Sequence, residues 1–500
     1  MASLDALLLG RFASLESDVP AAGGFSDSLE VGQVVDEDGA QLDGENLVEG
    51  DLIAASEDAE VIDEGSAETD ELIETTEALE SYLAAARRAS KQGGWTTQEA
   101  TAYHVGIDIA MKKLGADGSA IVPSLESFGS SRERINATAS VENRLTEALR
   151  KIWEAIKRAV NKVYVFVKKW YLKILDGASR LKKRAEAIRK KAENTTGSKK
   201  ENKIRTGVLG QIHLSGSAPT ASQLNTALTQ IAANVGSLTE NRLTGAYADA
   251  CGEVIDAIQN IADGKVDDAN ATDVKLKNVL DRVNTALGGV SKELDLGTAA
   301  PANDSIRKRA FAGAPTTVEV TRTTELPGGK ALVAVKAVDI AGNTTRASGD
   351  QAGEKSAAEG AAAGLKYAFK VSLVAFADTK KEIDESKEIN TLDQGDVISI
   401  CDGVINFAEK VIDYKKGFEQ YERKTKELLS KADKIKGKET KSGDTGAEAT
   451  SAAVARSLAT GVGAAMRNMG TSITNVINYG MNLSRASLVY ANSSLNQFKD

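Results

Sequence analysis

The chain has 500 residues, 42% hydrophobic and 27% charged, with only 6 Pro, 3 Trp, 10 Phe and 10 Tyr. That length exceeds one hydrophobic core and the composition favours helix, so several helical segments are expected rather than one compact domain. Two cysteines, Cys251 and Cys401, and two histidines, His104 and His213, exclude a disulfide framework, a clustered zinc site and a histidine-rich metal centre.

The formal charge of −9 conceals a division along the chain. Residues 1–80 hold 23 acidic groups and one basic group, Arg11, for a net charge of −22, and the remaining 420 residues carry +13. Segment 34–77 has too much like charge and too little aromatic surface to order itself, so an acidic, disordered leader over 1–80 is expected. The apolar run Leu7 to Leu9 has no basic lead and no stretch approaches a membrane span, so an intracellular, soluble chain in a reducing compartment is expected.

The spacing predicts a helix over Trp95–Leu114, capped by Thr96 or Thr97. Ala100, Tyr103, His104, Ile107, Ala110, Met111 and Leu114 fall on one stripe. His104 on that stripe reads as a packed histidine. A short helical section over 81–126 precedes a basic region over 127–205. There Leu145, Ala148, Ile152, Ile156, Ala159, Val163, Phe166, Trp170 and Ile174 mark the seam of a long helix, with Gly177 a candidate kink. Between Arg150 and Arg205 lie 19 Lys/Arg against five acidic residues, so the whole excess charge of the body is concentrated there. Lys151, Arg158, Lys162, Lys169 and Lys173 recur at offsets 0, 7, 11, 18 and 22, which places them on one face. Lys182, Lys183, Arg184, Lys190 and Lys191 extend the run. Such a face fits an anionic partner: nucleic acid, a phospholipid surface or the acidic leader.

A helical bundle over 206–300 is expected from segments Ala221–Val235, Asn241–Ile261 and Val274–Leu294. Within 301–350, Thr316–Thr323 and Ala331–Val338 alternate, are rich in β-branched residues and are joined through Pro327-Gly328-Gly329, which predicts a hairpin. Helical periodicity returns over 351–440, from Ala357 to Ile389 and from Gly395 to Ile435, and Lys436–Gly446 reads as a linker. Cys251 and Cys401 fall in helices as small apolar residues. In 441–500 the seam Met466, Met469, Ile473, Val476, Gly480, Leu483, Ser487 and Tyr490 requires a partner helix, which a bundle within the chain or an oligomer would supply. The fold class expected is therefore mainly α: long amphipathic helices and a helical bundle with a small β-hairpin insertion.

No phosphate loop, metalloprotease helix or paired Cys-x-x-Cys is present, and Asp36-Glu37-Asp38-Gly39 lacks the remaining spacing of a calcium loop. No enzymatic activity and no cofactor are expected. The tripeptide small residue, any residue, Glu recurs in the first 130 residues as Ser14-Leu15-Glu16, Ser28-Leu29-Glu30, Ser66-Ala67-Glu68, Ala78-Leu79-Glu80 and Ser124-Leu125-Glu126. With SLESFGSS, the following RLTEALRKIWEAIKRA and the closing ASLVYANSSLNQF, the chain resembles the internal head proteins of giant phiKZ-like tailed bacteriophages. The resemblance implies a virion protein inside the capsid, present in the host cytoplasm during assembly and trimmed by a maturation protease after S/A-x-E. Cuts would follow Glu126, leaving Ser127 as the first residue, or Glu80, leaving Ser81. Ser131-Arg132-Glu133 and Ser140-Val141-Glu142 offer further sites. The product 127–500 carries +12, which suits packaged double-stranded DNA or an inner-body or capsid protein as partner. Two rival readings use the same features: a membrane-active injected effector with an amphipathic basic helix, and an assembly scaffold with an acidic recruiting leader.

Overall fold

The computed structural model describes residues 93–113, 138–239, 300–311, 318–338, 370–377, 387–415 and 446–498, with scattered positions at 71–89, 252, 256 and 383–430. In chain order the elements are α1 (Thr97–Lys113), α2 (Thr138–Asn194), β1 (Lys203–Ile204), α3 (Leu209–Ile212), α4 (Ala221–Thr239), β2 (Ala300–Pro301), α5 (Asp304–Ala310), β3 (Val318–Arg322), β4 (Lys330–Val338), β5 (Val371–Ala375), β6 (Ile389–Asn390), α6 (Gln394–Asp413) and α7 (Gly446–Leu495). They belong to two compact units, one drawn from Met1–Gln41 and Glu64–Lys162, the other from Leu42–Asp63 and Val163–Asp500. The division falls inside α2.

In the first unit the described positions between Glu71 and Ala89 are helical. Leu72, Thr75, Leu79, Leu83 and Ala86 form a buried stripe at steps of three and four. This corrects the expectation of a leader without order as far as residue 80: its last turns carry an apolar stripe that the many carboxylates obscure in the sequence. Gly93 and Gly94, both at positive φ, close the segment. The Gly94 N–H donates to Ala89 O at 2.8 Å, a six-to-one bond that needs a left-handed residue at Gly93. The chain then turns into α1, where Thr96 and Glu99 form a reciprocal cap. Trp95 stacks on Tyr103 and Tyr82 meets Tyr103 edge to face. His104 is half-buried beside the stripe of Ala100, Ile107, Ala110 and Met111.

The second unit is built around α7. From Met469 to Leu495 its apolar side chains are buried around most of the helix, leaving one stripe through Asn478, Asn482, Arg485 and Val489 that is not. Its buried Thr474 satisfies its own hydroxyl on Gly470 O at 2.9 Å. The C-terminal half of α2 runs parallel to α7: Trp170 Nε1 donates to Asn478 at 2.8 Å, Gly177 faces Met481 and Lys191 donates to Asn496 at 2.8 Å. Helix α2 continues through Gly177 without a break, so this glycine serves close packing. Helices α4 and α6 run the opposite way, side by side, with Gly403 against Asn225 and Leu228 and Gly236 against Lys410. The seam foreseen in the last helix is filled by the same chain, since Phe407 and Ile231 occupy the space beside Gly480. Of the three helices expected over 206–300, the first is α4; Asn241–Ile261, apart from two helical positions, and Val274–Leu294 lie outside the described residues, as does the 436–446 linker.

Strands β2, β3, β4 and β5 form one antiparallel sheet in that order, and the hairpin foreseen between 316 and 338 is its centre. Gly328 and Gly329 take positive φ in the turn. A side chain on Gly328 would strike the Gln211 carbonyl, 2.9 Å from a Cβ placed there. Strand β5 corrects the helix expected over 357–389, as does the short β6, which pairs with β1. Residues 371–375 are a five-residue run, VSLVA, with one polar residue and no alternation, and it follows an alanine-rich stretch that reads as helix. The outer edge of β5 is closed by side chains: the Val371 N–H donates to Ser472 Oγ at 2.8 Å, and Arg309 Nη2 donates to Ala375 O at 3.1 Å.

Candidate functional site

Helix α2 carries the foreseen cationic face, and its buried side fixes how that face is presented. In the second unit Val167, Trp170, Tyr171, Ile174, Ala178, Leu181, Ala185, Ile188 and Ala192 are buried, a single stripe at helical spacing. The polar positions of α2 must therefore face outward or toward a neighbouring helix, and they do both.

One flank faces α6. Lys182 Nζ lies 2.8 Å from Glu409 Oε1. Its hydrogen bond to Glu409 raises the lysine pKa, with the nearby carboxylates of Glu186 and Asp413 adding to the effect. Two helical turns on, Arg189 Nε lies 2.8 Å from Asp402 Oδ1, an ion pair by proximity rather than an aligned hydrogen bond. Beyond the helix end, Lys199 pairs with Asp393 and donates to Thr391 O at 3.0 Å. Gln394 Nε2 caps the last turn of α2 by donating to Ala192 O at 2.6 Å. The cations on this flank are part of the fold.

The rest face elsewhere. Arg158, Lys168, Lys183, Lys190 and Lys191 are exposed, while Lys169, Lys173, Arg180 and Arg184 are half-buried. The side chains of Lys151 and Lys162 lie outside the described residues, so of the foreseen face Arg158, Lys169 and Lys173 can be placed. Arg180 escaped the sequence reading although it continues the same offsets, seven residues beyond Lys173. Arg189 and Lys199 escaped it because their partners lie about two hundred residues away. The cleavage candidates Glu80, Ser81, Glu126 and Ser127 all fall outside the described residues.

Among the described residues no nucleophile and base are brought together for chemistry. Cys401 is fully buried, and its thiol is pushed up to about 12 by desolvation and then by the Asp402 charge. His213 accepts from the Gly216 N–H at 3.3 Å and packs under Gly329, in the turn that holds the hairpin. Ser215 in that turn is bonded to Glu325.

Comparison with known families matches residues 39–493 to the phiKZ-like phage internal head proteins. The chain belongs to that family. No curated protein and no solved structure matches it. As an internal head protein it is a structural component of the virion, housed in the capsid interior. Among the described residues no helix is long and apolar enough to cross a membrane.

Proposed function

We propose that this internal head protein is trimmed after S/A-x-E by the phage's maturation protease and associates with packaged double-stranded DNA through the outer side of α2. The observation that carries the DNA reading is the exposure of Lys168, Lys183, Lys190 and Lys191 on a helix whose opposite side is buried. Cations so placed neutralise phosphates and release counterions without reading sequence, which suits a protein that must accept any part of a genome.

Trimming supports the same reading by charge alone. Removal of residues 1–126 turns a chain of −9 into one of +12. The tripeptide S/A-x-E does not occur between residues 143 and 290, so α4 and the part of α2 that follows Glu142 would pass through maturation uncut. The direct test is crosslinking of packaged DNA to protein inside intact particles, followed by peptide mapping. Adducts within residues 168–191 are the expected result. Adducts confined to other segments, or to none, would overturn the assignment.

A further inference from the structure

Ten Lys/Arg lie between Lys168 and Lys191, and they are not spread evenly around α2. At 100° per residue, eight of them fall within an arc of about 160°, centred roughly opposite the buried stripe. The two left out are Lys182 and Arg189, and these are the two that pair with Glu409 and Asp402 of α6. The helix thus sorts its cations by flank: Lys182 and Arg189 turn toward α6, and the other eight turn away from it, with Lys191 at the end of the row also reaching Asn496 just past α7.

The outward cations are also grouped along the helix axis. Lys168, Lys169 and Lys173 form a first group, Arg180, Lys183 and Arg184 a second, Lys190 and Lys191 a third. At 1.5 Å per residue the group centres lie about 18 and 12 Å apart, over a total of about 35 Å. The exposed carboxylates of Asp176 and Glu186 sit in the two gaps. A duplex presents the same order of spacings: a wide groove of about 12 Å and a narrow one of about 6 Å, each widened by its bordering phosphates. A full turn spans about 34 to 36 Å. Cations would then meet backbone crossings, and each carboxylate would stand over a groove instead of against a phosphate.

We infer that the outer face of α2 from Lys168 to Lys191 is a three-point phosphate rail for duplex DNA laid along the helix for about one turn, with Lys182 and Arg189 outside it. This rests on the DNA reading above and specifies its geometry. A rail of this kind has a minimum footprint. A duplex shorter than one turn leaves a group of cations without phosphates, and a longer one adds no further contact for a single chain.

The test uses the full-length chain and the form recovered from mature particles, titrated by fluorescence anisotropy with 6-, 12- and 24-base-pair duplexes and a 24-nucleotide single strand across a salt series. With about six contacts, log affinity should fall against log salt with a slope of roughly −5 on the 12- and 24-mers, and by about a third less on the 6-mer. Two charge-matched full-length variants locate the contacts. Lys183→Gln with Lys190→Gln should flatten the slope by about 2, at roughly 0.9 per phosphate lost. Lys182→Gln with Arg189→Gln should leave the slope unchanged and lower the melting temperature instead. Equal flattening by both pairs would overturn the sorting of cations while leaving DNA binding in place. A full slope on the 6-mer, or equal binding of the single strand, would overturn the lengthwise duplex. Absence of salt-dependent binding by both protein forms would remove the DNA reading and the rail together.

Discussion

A methyl group placed on Gly480 would lie 2.3 Å from Cε2 of Phe407, closer than any real side-chain contact. Phe407 is fully buried, and Ile231 crowds the same point from α4 at 2.9 Å. Three helices therefore meet at a position where only a hydrogen fits. Gly480→Ala should destabilise the second unit by about 1–3 kcal/mol even though alanine favours helix, because overpacking outweighs the propensity gain. Gly395→Ala, near the start of α6 with open space around it, should instead stabilise by about 0.5–1 kcal/mol. Denaturant unfolding of the two variants measures both. Phe407→Leu added to Gly480→Ala should recover part of the loss, and simple additivity of the pair would show that the ring is not the obstacle.

The position of Gly480 on a seam is legible in the sequence, but the residues that fill the seam are not, since Phe407 and Ile231 lie far from it along the chain. The hairpin is legible because β-branched alternation and Pro327-Gly328-Gly329 agree at the local level. Strand β5 is not, because five residues beside an alanine-rich run carry too little period of their own. At the candidate site, sequence spacing puts Lys182 and Lys183 about 100° apart, yet only the placement of α6 decides which of them is spent on an ion pair.

Cys401 should resist alkylation at pH 8 in the folded protein. Burial holds the thiol neutral, and the thiolate is the reacting species. In a Cys251→Ser background, iodoacetamide should label the chain only after denaturant is added. The same shift sets the sign of a pH effect. Between the ordinary thiol range near pH 8.5 and about 12, the unfolded chain has lost a proton that the folded chain keeps, so stability falls as pH rises through that window. Tyr490, pushed up to about 12 chiefly by burial, adds to the decline at its upper end. Cys401→Ala should make the decline shallower, and an unchanged alkaline slope would remove the thiol as its source.

Processing has two favoured positions, and one of them is flanked by buried helical residues. A cut after Glu80 would fall between Leu79 and Leu83, which are helical and buried in the first unit, while a protease needs extended chain in its cleft. The protein recovered from mature particles is therefore expected to start at Ser127, and Glu126→Gln should block that cut. Intact mass settles it: a product beginning at Ser81 would show that the helical positions around Leu79 and Leu83 open for the protease, and an intact Met1 or Ala2 would remove trimming altogether.

Two serines on α7 are equally buried and should respond to alanine with opposite signs. Ser472 Oγ accepts the Val371 N–H at 2.8 Å, and this bond closes the first residue of the edge strand β5. Ser472→Ala leaves that buried N–H without this acceptor, at a cost of about 1–3 kcal/mol. The Ser487 hydroxyl is fully buried and has no hydrogen-bond partner. Ser487→Ala removes an unsatisfied polar atom and improves helix propensity, so it should stabilise by about 1 kcal/mol. Hydrogen exchange distinguishes a local from a global effect: the Ser472 variant should lose protection first along β4 and β5, whose pairing runs from Lys330 with Ala375 to Ala334 with Val371. Loss of protection beginning in α4 and α6 instead would mean that Ser472 supports the helical bundle rather than the sheet edge.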